Sequence, residues 1–259
     1  MGMETKNLQV KYGDKLVLKN ANFKVNNGEI VTVIGPNGSG KTTLIKALSR
    51  CIKATSGNVY LDGKDIYQIP TKKIATEMAI LPQVKNVSAD VTIENLVSYG
   101  RYPHLGFGKR IKKDDKDIIS WAIEKTGLIK LKDRYIATLS GGERQRAWIA
   151  MALAQKPKIL ILDEPTTYLD ISYQLEVLEL VKELNESLGI TVIMVLHDLN
   201  QAARYSDNIY VLKDGEICEY GIPNNIIKST LLKDVFRIEA NIYRDEVNDC
   251  PYFIPYKII

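Results

Sequence analysis

An α/β fold built on short, buried and mostly parallel strands follows from three features of the sequence. Glu29-Ile-Val-Thr-Val-Ile34 is a β-branched apolar run that ends in Gly35 and passes through a glycine-rich loop into the periodic stretch Thr42 to Leu48, a pattern of strand, loop and helix. Two further apolar runs, Ile159 to Leu162 and Ile190 to Leu196, end in Asp163-Glu164 and His197-Asp198, as strands covered on both faces do. Between them Leu175, Leu178, Val181, Leu184 and Leu188 recur at helical spacing, which predicts a crossover helix over Ser172 to Leu188. Polar residues thus collect at the C-terminal ends of strands, where open α/β sheets bind ligands.

The remaining segments fit around this core. Leu8 to Val25 alternates as antiparallel strands with a turn at Gly13-Asp14. Val91 to Lys156 carries helical patterns and turn signals without an obvious buried strand, which predicts a helical insertion. Within it, Lys109 to Asp117 mixes both signs of charge and is expected to be a solvated loop and helix start. After Ile238, Asn241 to Tyr243 and Pro251 to Pro255 are strand-like.

Composition bounds the function. At 259 residues, 45% hydrophobic and 25% charged, the chain can bury a sizeable core and is neither a disordered nor a disulfide-scaffold sequence. Thirty-five basic against thirty-one acidic residues leave +4, too little to predict nucleic-acid binding. The longest uncharged stretches, such as Ser187 to His197, fall short of the roughly twenty apolar residues a membrane span needs. The N-terminus lacks the apolar centre of a signal peptide, so a cytoplasmic location is expected. Cys51, Cys218 and Cys250 are far apart and, with only two histidines, offer no metal-ligand spacing.

The chemistry begins at Gly35-Pro-Asn-Gly-Ser-Gly-Lys41-Thr42. Glycines let a backbone wrap closely enough for its N–H groups to face phosphate oxygens, and the following helix presents its positive end. Gly35, Pro36, Asn37, Gly38, Ser39, Gly40, Lys41, Thr42 and Thr43 are therefore the candidate phosphate contacts. Lys41 is placed to reach the β- and γ-phosphates, and Thr42 to supply a hydroxyl to Mg²⁺. Asp163, closing an apolar strand, is the matching carboxylate for that metal. Glu164 beside it can take a proton from an attacking water, which favours hydrolysis over simple binding. Leu139-Ser-Gly-Gly-Glu-Arg-Gln145 then opens a long helical pattern, Arg146 to Gln155. Ser140 and the N–H groups of Gly141 and Gly142 make a second anion site at a helix start. Two glycines in a first helical turn are unfavourable for propensity and imply another reason, a nucleotide-facing surface offered to a partner subunit.

With these motifs the chain resembles the ATP-binding cassette family over essentially its whole length. The family's LSGGQ signature stands here as Leu139-Ser-Gly-Gly-Glu143, with Glu143 in place of Gln. The resemblance implies a P-loop core with a mixed sheet, antiparallel N-terminal strands and an inserted helical subdomain. The whole chain is then one cassette, with residues 1–84 and 158–259 as core and 85–157 as the helical part. It also implies a head-to-tail homodimer in which the phosphate loop of one subunit and Ser140 to Glu143 of the other enclose each ATP. By resemblance Tyr12 stacks on adenine, and Gln83 reaches Mg²⁺ and the attacking water. Asp170 lies in a loop that crosses the dimer interface, where Tyr168 departs from the commoner small residue. His197 bonds the γ-phosphate.

Gly100-Arg-Tyr-Pro-His104, Thr166-Thr-Tyr-Leu-Asp-Ile171 and His197-Asp-Leu-Asn-Gln-Ala-Ala203 look like the subfamily that energises uptake of ferric siderophores, haem and cobalamin. The implied setting is the cytoplasmic face of the membrane, with two permease subunits, an external binding protein and no nucleic acid. A soluble cassette acting on nucleic acid or ribosomes is the alternative. Those relatives tend to carry long coiled-coil insertions, zinc motifs or tandem cassettes, which this chain lacks.

Overall fold

A computed structural model describes residues 1–83, 88, 90–106 and 110–259. In chain order the elements are β1 (Met3–Tyr12), β2 (Lys15–Ala21), β3 (Lys24–Val25), β4 (Ile30–Ile34), α1 (Lys41–Leu48), β5 (Ser56–Leu61) and β6 (Lys64–Asp65). Then come α2 (Thr71–Glu77), β7 (Met78–Leu81), α3 (Ile93–Tyr99), α4 (Lys113–Lys125), α5 (Gly141–Ala154), β8 (Ile159–Asp163) and α6 (Ile171–Leu188). The chain ends with β9 (Thr191–Val195), α7 (Leu199–Tyr205), β10 (Asn208–Lys213), β11 (Glu216–Gly221), α8 (Pro223–Ile226), α9 (Ser229–Asp234), β12 (Ile238–Asp245) and β13 (Cys250–Ile258). Two compact units result: Met1–Gln68 with Thr191–Ile259, and Ile69–Ile190.

In the first unit β1 is the centre of an antiparallel sheet, paired with β2, β3 and β5, and the turn to β2 falls at Gly13-Asp14 as expected. The buried side chains of β1 change parity, from Met3 and Thr5 to Leu8 and Val10. Asn7, at φ 50°, absorbs the extra residue where the register with β5 shifts, as a β-bulge does. The buried Thr5 hydroxyl is satisfied, donating to Ala21 O and accepting from Phe23 N. A second set of strands in this unit is parallel: β10 pairs β4 and β4 pairs β9, with β11 antiparallel on β10. All five residues of β4 and of β9 are buried, which explains why both strands are apolar apart from the β-branched Thr32 and Thr191. The strand-like tail pieces belong to a hairpin, β12 with β13. Asn200 of α7 seats it, accepting from Phe253 N and donating to Phe253 O.

In the second unit β7 and β8 pair in parallel. The expected helical insertion is present as α3, α4 and α5, which pack on one another. They are joined through Arg101, buried, whose Nε donates to Asp115 (3.0 Å) and whose Nη1 donates to Ala154 O (2.7 Å). Asp115 corrects the reading of the mixed-charge run as solvated. Helix α4 does start there, but Asp115 is buried at its first turn and accepts from Lys112 N. Lys109 lies outside the described residues. Helix α6 forms where its leucine spacing predicts, yet its buried face is Val177, Leu178, Leu180, Val181 and Leu184. Leu175 is only partly buried and Leu188 is exposed. The expected stripe overran the buried face at both ends; at the C-terminal end Leu188 is the last helical residue, before Gly189 in the left-handed region.

Candidate functional site

The phosphate loop leaves β4 at Gly35 and enters α1 at Gly40. Gly35 has φ 153°, and a Cβ there would lie 2.0 Å from Leu212 O. Gly40, the residue before α1, has φ 108° and a Cβ site 2.9 Å from Leu18 Cδ2. Only glycine serves at either position. No side chain caps α1, so its first N–H groups face the loop's interior as anion donors. Lys41 is 6% exposed, and a buried ammonium needs partners. Its Nζ donates to Gly35 O (2.8 Å) and Pro36 O (3.0 Å). Ser39 Oγ is buried with no hydrogen-bond partner among the described residues. Asn37 and Gly38 form the exposed tip, Thr42 is partly buried and Thr43 buried. Also in this unit, Tyr12 stands half-exposed at the end of β1, and His197 is exposed just past β9.

The second unit holds the carboxylates. Asp163, 4% exposed, is the last residue of β8. Glu164 follows at φ 54°, a left-handed conformation that a non-glycine residue adopts at a cost. Its Oε2 accepts from Gln83 Nε2 (2.6 Å) and Thr167 Oγ1 (3.1 Å). The carboxylate acceptor identifies the Gln83 nitrogen and leaves Oε1 pointing elsewhere. Thr167 was not expected from the sequence. Its signal is a hydroxyl residue three positions after Glu164, turned back by the backbone bond from Thr167 N to Glu164 O.

Ser140 is the N-cap of α5 and forms a reciprocal box with Glu143. Its Oγ accepts from Glu143 N, and its own N–H donates to Glu143 Oε2 (2.8 Å). That backbone donor, helped by the Ser140 hydroxyl and the charges of Arg134 and Arg146, holds the Glu143 carboxyl below its ordinary range against burial. Gly141 and Gly142 have a reason inside the chain as well. A Cβ on Gly142 would sit 2.4 Å from the Tyr173 ring, and one on Gly141 3.0 Å from Leu169 Cδ2. Leu169 belongs to the loop before α6, whose N-cap is Asp170. The Asp170 side chain makes no cap hydrogen bond and is exposed.

A glycine-built loop with a buried lysine, leading from a buried strand into a helix, is the phosphate-binding pattern of proteins that handle a nucleoside triphosphate. Family comparison gives the same class: residues 18–167 match the ABC transporter family, and the chain belongs to it. The iron(3+)-hydroxamate import ATP-binding protein FhuC of Bacillus subtilis (strain 168) is 46% identical over 99% of this chain and 96% of its own. The ferric enterobactin transport ATP-binding protein FepC of Escherichia coli (strain K12) is 42% identical over 96% and 92%. Among solved structures, the dimeric post-hydrolysis ATP-binding cassette MJ0796 bound to ADP and Pi superposes with a TM-score of 0.72 at 29% identity, covering 85% of this chain and 98% of that one.

Proposed function

We propose that this chain is the ATP-hydrolysing subunit of an importer for a ferric siderophore-type iron complex. The observation that carries the catalytic half is the Glu164 carboxylate, held at the end of a buried strand by Gln83 and Thr167. A base must be aimed before it can take a proton from water, and these two donors aim it. The substrate class is supported by relatives whose names specify iron-complex import.

ATP enters with its adenine on Tyr12 and its phosphates in the loop from Gly35 to Thr43. Lys41 exchanges the carbonyls of Gly35 and Pro36 for β- and γ-phosphate oxygens, and Ser39 Oγ gains the partner it lacks. Thr42, Asp163 and Gln83 offer hydroxyl, carboxylate and amide oxygens, the hard donors that Mg²⁺ takes; bound there, it would neutralise charge on the phosphates. Glu164 accepts the proton of the attacking water, and His197 hydrogen-bonds the γ-phosphate. Ser140, Gly141, Gly142 and Glu143 of a second copy cover the same ATP, with Asp170 at the crossing between subunits. Two such sites form one homodimer beneath two permease subunits on the cytoplasmic face of the membrane, supplied by an external binding protein. The cassette is one functional domain, with residues 85–157 as its helical part.

Glu164→Gln is expected to keep ATP affinity and lose hydrolysis by about 10²–10⁴-fold; wild-type turnover would remove Glu164 from the mechanism. Lys41→Ala is expected to lose affinity in a titration with a fluorescent ATP analogue. Growth of a deletion strain on defined iron sources separates ferric siderophores from haem, cobalamin or another metal ligand.

A further inference from the structure

Phe23, Tyr210 and Tyr220 form an aromatic series in the first unit, with ring centroids 4.6 and 5.3 Å apart. The inner two rings are held in place. Phe23 N donates to Thr5 Oγ1 (2.9 Å) and Phe23 O accepts from Thr5 N (2.7 Å). The buried Tyr210 donates its hydroxyl proton to Lys24 O (2.9 Å) and accepts from Lys24 N (3.1 Å). Tyr220 differs: it is 69% exposed, lies nearly parallel to Tyr210, and among the described residues no ring meets its other face.

These three rings line a cavity of about 530 Å³, a volume typical of small-molecule sites. Glu29 and Asn208 place it at the starts of β4 and β10. The phosphate loop leaves the far end of β4, and the five residues of that strand put roughly 17 Å between the two. The rest of the lining is polar and unevenly satisfied. Glu4 pairs with Lys6 (3.6 Å), and Glu29 accepts from Asn26 N (2.8 Å) and Nδ2 (2.7 Å). Among the described residues the Lys24 ammonium makes no ion pair, and the carboxamides of Asn7 and Asn208 make no hydrogen bond. An uncovered aromatic face rewards a stacked ring, two carboxamides offer donors and acceptors to that ring's edge, and an ammonium draws an anion.

We propose that this cavity is a second small-molecule site, separate from the phosphate loop, for a planar heteroaromatic ring carrying an anionic group, a molecule of nucleoside monophosphate type. The ring lies against Tyr220, its polar edge meets Asn7 and Asn208, and its anion pairs with Lys24. Because Phe23 and Tyr210 are already fixed, binding has little to order beyond Tyr220 and Lys24.

The test is calorimetric titration of adenosine and guanosine 5′-monophosphates into the full chain, with a non-hydrolysable ATP analogue at saturating concentration. One molecule per chain is expected for at least one of them, with a Kd below about 1 mM. Tyr220→Ala is expected to weaken it roughly three- to tenfold, and Lys24→Glu about tenfold or more. Tyr220→Phe keeps the ring and should bind as the parent does, which separates loss of stacking from loss of fold. Lys41→Ala should leave this binding intact. No saturable binding of either nucleotide, or binding that survives Tyr220→Ala or Lys24→Glu unchanged, would overturn the site. Binding that disappears with Lys41→Ala would assign it to the phosphate loop and overturn the proposal equally.

Discussion

Glu143 stands where the family signature carries a glutamine, and its structure shows what the extra charge does. The carboxylate turns back onto Ser140 N–H instead of standing free. The spacing of Ser140 and Glu143 makes Ser140 a helix cap in the sequence, but the return bond depends on a rotamer that only packing selects. Because this carboxyl's folded pKa is depressed, its contribution to stability is present above the ordinary carboxylate pKa and is lost as pH falls through the lower folded value. Glu143→Gln keeps an acceptor for Ser140 N–H, whereas Glu143→Ala removes it, at an expected cost of about 1–2 kcal/mol near neutral pH. Urea denaturation at pH 7 and again below the ordinary carboxylate pKa should show the gap between Glu143→Gln and the parent shrinking as the pH falls. A gap independent of pH would mean the charge is not engaged. Glu164 is a second residue whose type was legible while its state was not: the Asp-Glu pair closes an apolar run, yet φ 54° and the bonds from Gln83 and Thr167 came from the fold.

The glycines at the start of α5 belong to the scale of elements. From sequence alone they are a propensity cost with one explanation, a surface for nucleotide. The structure adds a second, since α6 and the loop before it lay Tyr173 and Leu169 against them. Contacts of that kind join segments distant in the chain and leave no local pattern. Gly142→Ala should overpack this crossing and destabilise by about 1–3 kcal/mol, with Tyr173→Ala in the same chain recovering part of the loss. Equal stability of parent and Gly142→Ala in denaturant titrations would show that the ring moves aside freely. Strand β5 makes the same point: it opens Ser-Gly-Asn and buries only Val59 and Leu61, so its extended form is owed to pairing with β1.

At the scale of the whole molecule, no helix among the described residues is long and apolar enough to cross a membrane, and the net charge is only +4. Extraction of the tagged chain from detergent-solubilised membranes, followed by mass spectrometry, should recover a many-helix permease and an iron-complex binding protein; ribosomal or DNA-associated partners would overturn the importer reading. The sequence by itself determined the phosphate loop, the apolar strands β4, β8 and β9 with the acids or histidine that follow them, the crossover helix and the Ser-Gly-Gly cap. Each is written in contiguous residues whose spacing is dictated by backbone geometry and burial. Only the tertiary structure decided the bulge at Asn7, the burial of Asp115 against Arg101, the hydrogen bond from Gln83 to Glu164 and the seating of the C-terminal hairpin on Asn200. Those depend on which distant side chains meet, and periodicity along a chain carries no record of that.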